Sequence, residues 1–209
     1  MHSIQIKNLM KSFQSENVLN EINLTIDAGE RVGLIGNNGS GKTTLMKIIA
    51  GQAIYDSGSV SVLGRDPRCF DNRFLVSYLL QENSFPESLK LSEVASFISK
   101  HFEKIYNLDE LFELFQLSKF KTKKVAELSG GLQRSFALLL SFIGKPRILL
   151  LDEPTVGLDE TARQNTWNLL NNFLDEDVTI LVTSHYKEDI DQLTDKTYAL
   201  NRGELRETK

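Results

Sequence analysis

Cysteine is almost missing from this 209-residue chain, which has a single thiol at Cys69. No internal disulfide can form, and the usage suits a reducing compartment. Cys69 belongs to no recognisable pattern and reads as a bystander. A basic excess is missing as well. Lys and Arg number 24 against 28 Asp and Glu, a formal net charge of −4, which disfavours a general nucleic-acid binder. Long apolar runs are also absent. The longest, Phe136 to Gly144, is broken by Ser141 and followed by Lys145-Pro146-Arg147, well short of the roughly 18 apolar residues that span a bilayer. The start, Met1-His2-Ser3-Ile4-Gln5-Ile6, carries no apolar stretch, so no signal peptide is expected. Internal repeats, low-complexity tracts and Pro/Gly/Ser-rich linkers are not found.

What remains is ordinary for a globular domain: 41% hydrophobic and 25% charged residues, in a length that fits one domain with a sizeable core. Residues 3–8 and 21–26 alternate polar with apolar, as half-buried strands do. Arg31-Val32-Gly33-Leu34-Ile35 reads as a short strand, leading to a buried helix over Thr43–Ala50. From about Leu89 to Phe120 the spacing of Leu91, Val94, Ala95, Ile98, Leu108, Leu111, Phe112, Leu114 and Phe115 turns helical and amphipathic. Ile148–Leu151 and Val178–Val182 are unbroken apolar strands, expected to be covered on both faces in a parallel sheet. The expectation is an α/β core with a helical insertion at roughly 82–128.

Between strand and helix stands Gly36-Asn37-Asn38-Gly39-Ser40-Gly41-Lys42-Thr43, with Thr44 next. This spacing is that of a phosphate-binding loop. Glycines let the backbone wrap phosphate oxygens, and the following helix offers its N-terminal N–H groups and positive dipole end. Lys42 would reach the β- and γ-phosphates, and the Thr43 hydroxyl would ligate Mg²⁺. The strand Ile148–Leu151 ends in Asp152-Glu153-Pro154. Alone, such a pair would be a solvated strand end. Downstream of a phosphate loop, Asp152 is expected to hold Mg²⁺ through water and Glu153 to act as general base on the attacking water.

Leu128-Ser129-Gly130-Gly131-Leu132-Gln133-Arg134 opens another helix with a second anion-binding turn. The segment resembles the LSGGxQR signature of ATP-binding-cassette (ABC) ATPases. Other family motifs stand in order: Gln81 after the apolar stretch Phe74–Leu80, Gly157-Leu158-Asp159, and His185 in Thr183-Ser184-His185. The resemblance runs from Ile4 to about Glu204. It implies a P-loop NTPase core with a mixed, largely parallel sheet, an N-terminal antiparallel β part and a helical subdomain. The core would take residues of about 1–81 and 129–209, the subdomain about 82–128.

The resemblance also implies roles. Gln81 would contact Mg²⁺ and the attacking water, and His185 the γ-phosphate. Phe13, where the family usually has tyrosine, would stack on adenine, a contact worth about 1–3 kcal/mol. Ser129, Gly130, Gly131, Gln133 and Asp159 would serve the ATP of a second subunit. His2 and His101 match no motif. ATP and Mg²⁺ are the implied cofactors. The implied partners are a second ATPase subunit and integral-membrane permease subunits, with the chain cytoplasmic on the inner face of the membrane.

The helix over Arg134–Pro146 resembles that of efflux-type ATPases, lacking a second arginine near position 140. The 24 residues after His185 are read as too few for the regulatory domain of many importers. Both favour export. Phe85, Pro86 and Leu89 are candidates for a groove that seats a membrane-protein helix, with core packing the alternative for each. A soluble ABC ATPase driving an assembly such as iron–sulfur cluster biogenesis is the rival function. A DNA-maintenance ATPase is disfavoured, for want of zinc-site cysteines and heptads.

Overall fold

A computed structural model describes residues 2–14, 16–81, 85–173 and 177–208. Two long strands open the chain, β1 (His2–Phe13) and β2 (Glu16–Asp27). They pair antiparallel, and β4 (Ser57–Val62) adds to the free edge of β1, making a sheet of order β2-β1-β4. One face of this sheet carries the alternating residues Ile4, Ile6, Ile22, Leu24 and Ile26, all buried. Alternation in the sequence thus records one solvated face and one core face.

The second sheet takes β3 (Arg31–Ile35), β5 (Val76–Leu79), β6 (Ile148–Asp152), β7 (Thr179–Thr183), β8 (Lys196–Asn201) and β9 (Glu204–Glu207) in the order β5-β6-β7-β3-β8-β9. Every pairing is parallel except that of β8 with β9. As expected from their unbroken apolar sequences, β6 and β7 are buried throughout. Their side chains divide between two cores. Ile148, Leu150 and Leu181 join the antiparallel sheet and α1 (Lys42–Ile49), while Leu149, Leu151, Ile180 and Val182 face the helices on the other side.

Those helices are α3 (Leu91–Ser99), α4 (Leu108–Leu114), α5 (Gly130–Phe142), α6 (Glu160–Phe173) and α7 (Lys187–Leu193), while a short α2 (Asn72–Leu75) precedes β5. The amphipathic stretch after Leu89 divides into α3 and α4. Two 3₁₀ turns, at Ser118–Phe120 and Val125–Glu127, complete it before α5. Phe112 and Phe136 stack at 6.3 Å across α4 and α5, tying this stretch to the core. Positions 82–84, where the helical insertion was expected to begin, lie outside the described residues.

Parallel strands share one carboxyl end. Gly36, Gln81, Glu153 and Ser184 all lie just past such an end, on β3, β5, β6 and β7. Ligands of open parallel sheets bind at that edge.

Candidate active site

The phosphate-loop sequence folds as a turn closed by the Ser40 N–H donating to the Asn37 carbonyl at 3.1 Å. Gly41 sits at the start of α1 with φ 104°, a left-handed conformation, and a Cβ there would lie 2.9 Å from the Val18 carbonyl oxygen. Only glycine fits without strain. Among the described residues no side chain caps α1, which leaves its first N–H groups uncommitted to a capping side chain. Lys42 Nζ donates to the carbonyls of Gly36 (2.7 Å) and Asn37 (3.1 Å). Burial lowers its pKa, with Glu153 and Asp152 opposing. Ser40 Oγ is buried and has no hydrogen-bond partner among the described residues. A cation and an unpaired hydroxyl in one glycine-rich loop suit an anion with several oxygens.

Asp152 closes the second half of the site. Its Oδ2 accepts from the Thr43 hydroxyl at 3.0 Å and from the Tyr78 hydroxyl at 3.2 Å, and its Oδ1 accepts from Thr183 at 2.6 Å. Three elements therefore aim one carboxylate. Thr183 Oγ1 also accepts from the Glu153 N–H at 3.0 Å, so one hydroxyl fixes both acidic residues. Glu153 itself adopts φ 51°, a left-handed conformation unusual for a residue with a side chain. Its Oε1 lies 2.5 Å from His185 Nε2, and its Oε2 accepts from Gln81 Nε2 at 3.4 Å. The expected trio Gln81, Glu153 and His185, far apart in sequence, is brought together.

Phe13, Asn38 to Thr44, Gln81 and Glu153 line one cleft of about 480 Å³. Phe13 is 51% exposed at its mouth, with Lys11 Nζ 5.0 Å from the ring centroid. His185, with Gly36 and Asn37, lines a second and larger cleft of about 610 Å³ on the α7 side. The donor set of Thr43, Asp152 and Gln81 is made of hard oxygens, which fits Mg²⁺.

Residues expected to act on a second subunit's nucleotide lie apart from this cleft. Ser129 caps α5 by accepting from the Leu132 N–H at 3.4 Å. Gln133 Nε2 turns back onto the carbonyls of Val125 (3.3 Å) and Leu128 (3.4 Å). Asp159 caps α6 through the Ala162 N–H at 2.8 Å. Gly130 is exposed, and a Cβ there would meet nothing within 4 Å, while at Gly131 it would meet Leu158 Cδ2 at 3.5 Å. Among the described residues, nothing requires glycine at position 130.

Sequence reasoning passed over Tyr78 and Thr183, and it gave Arg134 no role beyond the signature. The Arg134 guanidinium is buried and donates to five carbonyls: Leu80 (2.6 Å), Gln81 (3.1 Å), Asp152 (2.6 Å), Glu153 (2.7 Å) and Pro154 (3.1 Å). Burial pulls its pKa down to about 10, against the pull of Asp152 and Glu153, so it stays charged at neutral pH. A signal for it existed: a lone arginine among the apolar residues of α5.

A family model described as ABC transporter matches residues 19–156. The chain belongs to the ABC transporter family. Over 209 residues it is 32% identical to the ABC transporter ATP-binding protein YtrB of Bacillus subtilis, covering 97% of this chain and 70% of that one. It is equally 32% identical to a Nod factor export ATP-binding protein I of Burkholderia lata, covering 96% and 68%. The fold matches a solved ATP-binding subunit of an ABC transporter with TM-score 0.90 at 24% identity, covering 99% of this chain and 89% of that one. A dimeric cassette in a post-hydrolysis state with ADP and phosphate matches at TM-score 0.87 and 24% identity, covering 99% and 98%. This ABC chain is an ATP-binding subunit and an ATPase. Family and relatives favour transport over the rival assembly ATPase.

Proposed function

We propose that the cleft of Phe13, residues 38–44, Gln81 and Glu153 binds ATP with Mg²⁺, and that its hydrolysis drives a transporter. The carrying observation is the 3.0 Å contact of Thr43 with Asp152, which joins phosphate loop and acidic strand in one donor set. The phosphate chain lies along residues 36–44, with Lys42 on its outer phosphates and adenine against Phe13. Thr43, Asp152 and Gln81 would hold Mg²⁺, which would supply charge neutralisation for the phosphates. Glu153 accepts the proton of the attacking water, His185 steadies that carboxylate and meets the γ-phosphate, and Gln81 orients the water. Catalysis is positioning and charge stabilisation.

Two copies sandwich two nucleotides. Ser129, Gly130 and Gly131 contribute backbone to the partner's phosphates, and the bare glycine at 130 supports that reading. Gln133 and Asp159 contribute by shaping the turns they cap rather than by side-chain reach.

The membrane partner is an integral-membrane permease subunit, and the chain works on the cytoplasmic face. Among the described residues, no helix is long and apolar enough to cross a membrane. Core (about 1–81 and 129–209) and helical subdomain (about 82–128) flank the groove that receives it. The ring row Phe70–Phe74–Phe102, with centroids 5.2 and 6.1 Å apart, supports a site between α2 and the segment after α3. Phe70 and Phe97 are each 64% exposed, and Leu89 is 39% exposed. Phe85 packs at 5.7 Å on Phe136 instead, so of the three residues first considered, Pro86 and Leu89 remain. Export is the favoured direction, in keeping with the name of the Nod factor relatives.

The test is Glu153→Gln. ATP affinity stays within about twofold, turnover drops at least about 100-fold, and light scattering with ATP and Mg²⁺ shows a dimer. Wild-type turnover in this variant removes Glu153 as the base. A monomer at saturating ATP removes the sandwich.

A further inference from the structure

Among the described residues, the reaction scheme leaves one fully buried carboxylate without a task. Asp189, in the first turn of α7, is 0% exposed. Its Oδ2 accepts from the Thr155 hydroxyl at 2.5 Å and from the Ser184 hydroxyl. Its Oδ1 accepts from the Trp167 indole N–H at 2.8 Å and from Arg163 Nη2 at 3.5 Å, both on α6. Burying a carboxylate is costly unless donors surround it. Here four donors from three segments converge.

The positions of those donors matter. Thr155 follows Glu153 by two residues, and Ser184 immediately precedes His185. One oxygen therefore grips both chain segments that carry the 2.5 Å Glu153–His185 contact. The remaining oxygen anchors the grip to α6, whose first turn is capped by Asp159. Arg163 adds stiffness: its Cζ lies 4.2 Å from the Tyr186 ring centroid and 5.2 Å from that of Trp167. Tyr186 is the residue after His185, so both flanks of the histidine are tied to this cluster. We propose that Asp189 is a positioning residue that sets the distance and orientation of Glu153 against His185. The inference rests on the reading of that pair as the reacting groups.

Two hydroxyls that act through one acceptor predict non-additive losses. Thr155→Val and Ser184→Ala each remove one donor, and each is expected to lower kcat about 10-fold with KM for ATP within about twofold. The double variant is expected to fall no more than about twofold below the worse single one. Losses that multiply, or kcat unchanged in both singles, overturn the proposal. So does a parallel rise in KM, or a loss of kcat that disappears when all variants are assayed well below their unfolding midpoints. Asp189→Asn gives the same kcat loss if it folds. Emission of Trp167, the only tryptophan, then shifts as its indole N–H loses a charged acceptor, and an unshifted emission counts against the grip. Glu153→Gln is assayed alongside. If it is inactive while Thr155→Val and Ser184→Ala turn over normally, the grip fails and the reading of the pair stands. If it turns over normally, the reading of the pair fails, and the proposal with it.

Discussion

The Tyr78 hydroxyl and the Thr43 hydroxyl donate to the same oxygen of Asp152, at 3.2 and 3.0 Å. Thr43 comes from the phosphate loop and Tyr78 from the strand beside β6. Burial, reinforced by the Asp152 charge, raises the Tyr78 pKa, so the phenol remains a donor at neutral pH. With Asp152 as the proposed Mg²⁺ ligand, outer partners of this kind would hold the carboxylate in one orientation, and their loss would cost metal affinity about 10–100-fold.

Tyr78→Phe tests this relationship directly. ATP binding without divalent cation should be unchanged, because the phenol is absent from the cleft lining. The Mg²⁺ concentration that half-saturates the added ATP affinity should rise about 10-fold, the low end because Thr43 and Thr183 remain. A Mg²⁺ titration of ATP binding, followed by fluorescent nucleotide, reads both quantities. An unmoved midpoint would mean that the phenol only fills space.

Arg134 presents a different balance. Five carbonyls share one buried guanidinium, and an alanine would leave several of them unsatisfied. Each stranded buried group costs about 1–3 kcal/mol, part of which water entering the space would recover. Arg134→Ala is expected to lose about 3 kcal/mol in urea unfolding. Arg134→Lys should recover little, since an ammonium has three donors and no planar fork. A lysine variant with wild-type stability would show that charge alone matters at this position.

Gly130→Ala separates folding from function. With open space around the Cβ position, alanine should leave stability unchanged or raise it by about 0.4–1 kcal/mol. The same methyl group would stand between this turn and the partner's phosphates. ATP-driven dimerisation of the Glu153→Gln, Gly130→Ala double variant should weaken at least 10-fold by light scattering. Undiminished dimerisation would exclude close backbone approach at this glycine.

The pair Lys196–Glu30 bridges the start of β8 to the turn before β3. Partial burial pushes the Glu30 carboxyl up, but the Lys196 ammonium and the Asp27 N–H hold it below its ordinary value of 4.5. Glu30 in turn raises Lys196 above 10.5. A lowered acid gives stability that is present above its unfolded pKa and lost as pH falls through its folded one. A raised base gives stability that is present below its unfolded pKa and lost as pH rises through its folded one. The stability difference between the native chain and Lys196→Met should therefore be flat between 4.5 and 10.5 and shrink on both sides. Urea midpoints across pH measure it, and a difference that persists in strong acid would exclude the ion pair as its source.

Sequence order carried the architecture well, because its signals are local. Eight adjacent residues, 36–43, define the phosphate loop, and the apolar sequences of β6 and β7 announce burial on both faces. Asp152 and Glu153 gained meaning from what preceded them in the chain. Tyr78 and Thr183 had no such help. Their contacts with Asp152 span 74 and 31 positions, and only the sheet order β5-β6-β7 brings them alongside. The direction of Gln133 was equally hidden, since an amide can reach outward or cap its own turn. Phe85 followed the same logic: an aromatic beside Gln81 could face a groove or a core, and Phe136 decided it.

The common carboxyl end of β3, β5, β6 and β7 leaves the other end of the sheet with different duties. There, His2, Ser3, Ala28, Leu63, Arg147 and Asp177 surround a hollow of about 320 Å³. None of them is among the residues that line the cleft of Lys42 and Glu153. That side is therefore where a longer loop, a dye or a fused reporter is expected to leave nucleotide turnover undisturbed, the natural handle for attaching this motor to a surface or a probe.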